Sequence, residues 1–133
     1  MNSYTIATTV NKPYDVAVQA VRAALEEQGF GILTEIDLKA VLKKKLDVDI
    51  EPQIILGACR PPLAHEAIQA EPSIAAVLPC NVVVRSVGGS STVIEAFDPD
   101  AMMGLADNEA LHKVAADAKQ RINAAFATLA DGS

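Results

Sequence analysis

The chain has 133 residues and a net charge of −6, with half its residues apolar and only 4% aromatic. That length describes one domain (1–133, ordered from about residue 3 to 130), able to bury about 65–70% of its unfolded surface without a staple. The acidic balance argues against a nucleic-acid partner, because phosphate binding relies on clustered Lys and Arg.

Trp is absent and aromatics are scarce, so the core must come from Val, Ile, Leu and Ala. No run reaches the about 18–20 apolar residues of a membrane span, which predicts no membrane partner. Met1-Asn2-Ser3-Tyr4 lacks the basic and apolar regions of a signal peptide. The expected location is the cytoplasm, where thiols stay reduced. A permanent Cys59–Cys80 disulfide is therefore disfavoured, although a transient one is not.

Tyr4 to Val10 carries β-formers in weak alternation and predicts a strand. Pro13 suits a first helical turn, and Val16, Ala17, Ala20, Val21, Ala24 and Leu25 repeat at helical spacing. Gly29 fits the position just past that helix, and Phe30 is expected to fold back on Leu25 in a Schellman-type stop. Gly31 to Asp37 reads as a second strand, with Ile32, Thr34 and Ile36 on one face. Asp37 caps a short helix carrying Leu38, Val41, Leu42 and Leu46. Its Lys43-Lys44-Lys45 run is diluted by Asp47, Asp49 and Glu51, as in a solvated helix face. A third strand, Gln53–Cys59, is apolar enough to predict cover on both faces, by helices or by another subunit.

Pro61-Pro62 starts a helix through Ala70, and Glu71-Pro72 ends it. Cys80 to Val87 and Thr92 to Phe97 read as strands joined by a hairpin loop at Gly88-Gly89-Ser90-Ser91. Asp98-Pro99 opens a short helix to Leu105. The last helix runs roughly from Asp107 to Ala130, with Asp131-Gly132-Ser133 expected to fray. The order β-α-β-(α)-β-α-β-β-α predicts an α+β fold, about five strands in a mixed or antiparallel sheet with helices packed on it.

Two cysteines stand where apolar runs meet prolines. Cys59 ends a strand directly before a helix whose N-terminus carries positive partial charge, and Arg60 adjoins it. Both influences favour the thiolate, the reactive and metal-binding form. The plainer alternative is a small residue filling a tight junction. Cys80 follows Pro79 and begins a strand of three valines, as a buried inert thiol would. The 20 residues between them match no CxxC redox or zinc pattern. An antiparallel pairing of their strands puts both thiols at one end of the sheet, whereas a parallel crossover separates them.

Other candidates are weaker. His65 and His112 read as surface residues of helices, and Glu66 makes no HExxH motif because residue 69 is Gln. Met102 and Met103 are soft donors in type but usually fill gaps. Gly88-Gly89 lacks the lysine and helix of a phosphate loop.

Several segments together resemble a prokaryotic family, domain of unknown function 302. They are Glu35-Ile36-Asp37, Ile55-Leu56-Gly57-Ala58-Cys59-Arg60-Pro61-Pro62-Leu63-Ala64, Leu78-Pro79-Cys80-Asn81-Val82-Val83-Val84 and Phe97-Asp98-Pro99-Asp100-Ala101-Met102-Met103. The resemblance covers nearly the whole chain. It implies a small α+β fold, bacterial origin and a homodimer, and no particular activity. The family commonly has Asn after the first cysteine, where this chain has Arg60.

These readings give three expectations for function. The first is binding of a small ligand or a soft metal near Cys59, Arg60, Pro61, Cys80 and Asn81, with Cys59 and Cys80 as metal candidates. The second is thiol-dependent redox catalysis. The third is a structural or regulatory homodimer.

Overall fold

The computed structural model describes residues 2–131, so the closing Gly132-Ser133 lies outside it. Its elements are β1 (Thr5–Val10), α1 (Tyr14–Glu27), β2 (Gly31–Asp37), α2 (Leu38–Leu46) and β3 (Gln53–Cys59), then α3 (Pro61–Ala70), β4 (Cys80–Ser86), β5 (Thr92–Phe97), α4 (Pro99–Met103) and α5 (Glu109–Asp131). A 3-10 helix over Pro72–Val77 follows α3, a segment that the sequence reading leaves as a simple stop. The five strands form one sheet in the order β1-β5-β4-β3-β2, and every neighbouring pair is antiparallel. The fold is thus α+β.

Local chemistry accounts for the boundaries. Pro13 precedes the first turn of α1. At its far end Gly29 takes φ 86°, the Phe30 N–H bonds the Leu25 carbonyl at 3.0 Å, and the Gly29 N–H bonds that of Glu26 at 2.9 Å. This is the Schellman arrangement, and Phe30 and Leu25 are buried in one cluster. Asp37 caps α2 by accepting the Ala40 N–H at 3.0 Å, and Asp98 caps α4 by accepting that of Asp100 at 2.9 Å. Lys43 pairs with Asp47 and Asp49 at the surface.

Alternation then sorts the sheet into two faces. Ile54, Leu56, Ala58, Val82, Val84, Ile94 and Ala96 are buried with residues of α1 and α5 in the main core. Each such side chain contributes about 1.5–3 kcal/mol by leaving water, less for alanine. On the opposite face Ile55 opposes Ile36 and Val83, and Arg85 opposes Val93. Only Gly57 of that strand face is buried.

Two expectations need correction. In α1 it is Val18 that is buried, while Val16 is 52% exposed, so the apolar stripe is rotated from the one the spacing suggested. In β2 a bulge at Leu33 breaks the alternation. Ile32 opposes Ala58, but Thr34 already opposes Gly57, so Ile32 does not share a face with Thr34 and Ile36.

Candidate functional site

The register between β3 and β4 decides where the cysteines lie. Ala58 opposes Cys80, so the two strands carry both cysteines to one end of the sheet. Both thiols are free. Because paired residues share a face, Cys80 points with Ala58 toward the helices, and Cys59 is one residue out of phase.

At this end α3, α4 and α5 close over the sheet. Leu63, Ala67, Ile74, Cys80, Met102, Leu111, Val114 and Ala118 form a second apolar cluster, separate from the main core. Cys80 is 6% exposed and Met102 1% exposed. Between the two clusters lies a pocket whose wall includes Cys59, Arg60, Cys80, Phe30, Leu63 and Met102. It encloses about 360 Å³ of unfilled space, counting the part open to solvent, and about 30 Å³ of it takes the centre of a water-sized sphere. The enclosed part therefore suits roughly one water, so any larger guest must widen it or extend through the mouth.

The electrostatics differ from the sequence expectation. Burial pushes the Cys59 thiol up from its ordinary value rather than down. Cys80 is pushed up to about 11, by burial first and then by the proximity of Cys59 and Asp98. Both thiols are therefore neutral at physiological pH. The start of α3 offers little to oppose this. Pro61 and Pro62 have no amide hydrogen, which leaves Leu63 as the first residue of the helix with one to offer. Ala64, next in line, gives its N–H to the Arg60 carbonyl at 3.0 Å. The helix start thus has a dipole with few donors to present to an anion.

Arg60 is the polar exception on this wall. Its Nε is buried with no hydrogen-bond partner. The side chain lies over Gly29, where a Cβ would come within 2.9 Å of Nε. Asp98, the carboxylate that acts on Cys80, is already held by Lys119 at 3.1 Å.

Of the sequence-predicted site residues, Cys59, Arg60 and Cys80 line the pocket, whereas Pro61 and Asn81 do not. Pro61 is exposed at the start of α3. Asn81 is exposed on the opposite face, beside a shallow hollow with Val83, Glu95 and Phe97. His65 and His112 are exposed. Met102, read from sequence as a gap-filler, is part of the wall, and the side chain of Met103 lies outside the described residues. Sequence reasoning missed Phe30, Leu63, Val114 and Ala118 as pocket residues. Only their helical or strand-end periodicity marked them, and that signal is the same for any core residue.

Among the described residues no three His, Cys, Asp or Glu side chains gather as a ligand set. Nor is any described helix long and apolar enough to cross a membrane.

The same architecture occurs in a solved structure. The crystal structure of uncharacterized conserved protein DUF302 from Bacillus stearothermophilus superposes with a TM-score of 0.87 at 24% identity, covering 96% of this chain and 99% of that one. At that identity the likeness is one of fold. No curated protein matches the chain. The family model described as "Domain of unknown function DUF302" matches residues 6–129, a span that contains every strand-end and helix-start residue of the pocket, and the chain belongs to that family.

Proposed function

We propose that the protein binds a small ligand in the pocket at the Cys59–Cys80 end of its sheet. The observation that carries this reading is the convergence of Cys59, Arg60 and Cys80 on one partly open, otherwise apolar pocket. Apolar walls with a few placed polar groups are the usual make-up of a small-molecule site. With no third His, Cys, Asp or Glu gathered beside them among the described residues, the cysteines favour a small molecule over a metal centre, and the raised thiols weigh against thiolate redox catalysis. A small-molecule fragment screen read by amide chemical shifts tests the reading. Hits should perturb Leu63, Ala64 and Met102 and disappear in an Ala64→Phe variant, whose side chain enters the mouth. Hits that survive Ala64→Phe unchanged would place binding elsewhere.

A second reading, self-association as a homodimer, draws on the uncovered face of the sheet. Ile55 and Val83 are half-buried and Ile36 is 45% exposed, so the apolar side chains on this face of the sheet keep part of their surface in water. A second copy laid on that face would supply the cover that its apolar run calls for. Sedimentation should then give a dimer that Ile55→Lys converts to monomer. A strict monomer in the unsubstituted protein would remove this reading.

A further inference from the structure

The chain has four arginines. Three are paired with carboxylates: Arg22 with Glu35 at 2.7 Å, Arg85 with Glu95 at 2.7 Å and Arg121 with Asp117 at 2.6 Å. The side chain of Arg60 has no such partner among the described residues, and it is the arginine that lines the pocket. A guanidinium stays charged at any physiological pH and has donors but no acceptor. Leaving one of those donors buried and unbonded is costly, and an acceptor brought by a ligand would remove the cost.

The rest of the wall narrows the choice. Leu63, Ala67, Leu78, Met102 and Val114 are apolar, and the thiols are neutral. Inorganic oxyanions would leave these surfaces facing polar atoms. Amines would meet the like charge of Arg60. Uncharged apolar molecules would leave Nε unpaired. A planar carboxylate matches the guanidinium fork, and a short apolar body that extends through the mouth or widens the pocket would meet the apolar wall.

From this we infer that the ligand is a small monocarboxylate, its carboxylate held by Arg60 and its apolar body seated against Leu63, Met102 and Val114. The inference rests on the small-ligand reading above and adds the charge and shape of the guest.

Three four-carbon probes test it: butyrate, butan-1-ol and butylamine, titrated into the full chain and followed by amide chemical shifts. Butyrate should perturb Leu63, Ala64 and Met102 and bind roughly tenfold or more tighter than butan-1-ol, as one charge-assisted pair implies. Arg60→Met should erase that difference, and Arg60→Lys should restore part of it. If butan-1-ol or butylamine binds the unsubstituted protein as tightly as butyrate, the carboxylate inference falls while the pocket reading stands. An Arg60→Met protein that keeps the preference for butyrate overturns it equally. If no probe binds, both fall. The probe comparison on the unsubstituted protein needs no variant to fold.

Discussion

Arg60 lies across Gly29, so that a Cβ built on the glycine would stand 2.9 Å from the arginine Nε and 3.6 Å from its Cδ. One residue thus has two tasks. It takes the left-handed angles that end α1, and it leaves room for a charged side chain from the β3–α3 junction.

Gly29→Ala should therefore cost more than the helix stop alone. The left-handed backbone accounts for about 1–2 kcal/mol, and displacement of Arg60 adds to it. Urea denaturation of Gly29→Ala, Arg60→Ala and the double variant separates the two. The double variant should be more stable than the sum of the single effects predicts, because truncating Arg60 removes the clash and leaves the backbone cost.

Cys80 makes stability depend on alkaline pH. Its folded-state value of about 11 lies above that of an unfolded thiol, so the native state holds a proton that the unfolded state releases. The contribution is complete below the unfolded value of about 8.5. It is lost as pH rises from there through the folded value, on the order of 3 kcal/mol in all. Chemical denaturation from pH 7 to 11 should show this decline, and Cys80→Ala should flatten it. In the native protein Cys59 should react with iodoacetamide before Cys80.

Gly57 tolerates no side chain. A Cβ there would collide with the Thr34 hydroxyl oxygen and come within 2.8 Å of Pro79 Cγ. Gly57→Ala should cost about 1–3 kcal/mol through overpacking, read as a lowered urea midpoint. Adding Thr34→Ala should recover part of the loss, since the ring of Pro79 stays in place.

Glu95 is held on the open face of the sheet by Thr5 Oγ1 at 2.5 Å and Arg85 at 2.7 Å. Those hydrogen bonds, that of Thr5 first, lower its pKa below the usual carboxylate range. The resulting stability is present at neutral pH and is lost as pH falls through that lowered value. Glu95→Gln should cost about 1 kcal/mol at pH 7 and reduce the acid sensitivity seen in melting curves between pH 5 and pH 2.

Much of the fold could be read from punctuation. Gly29 with Phe30, Asp37, Pro61 and Asp98-Pro99 all mark element ends at the observed positions, because each fixes backbone angles or donors locally. Features set by tertiary packing were less legible. The bulge at Leu33 depends on the partner strand, and the exchange of Val16 for Val18 depends on where α1 sits against α5. Cys59 and Cys80 were recognisable as a pair, but their relative phase belongs to the register. The sign of the Cys59 shift follows from burial, which tertiary packing sets and the residues beside the cysteine do not announce. Val114 and Ala118 come to the pocket from α5, far along the chain, and nothing local announces them.

The double proline at the start of α3 concentrates chemical discrimination in one side chain. With no amides at Pro61 or Pro62 to share the task, residue 60 is the main source of polarity at the pocket mouth, and the walls behind it are generic. A homologue with an amide side chain there would present one donor group and one acceptor to its guest and no charge. Selectivity could then diverge among relatives by substitution at a single codon, with the sheet, the helices and both thiols unchanged.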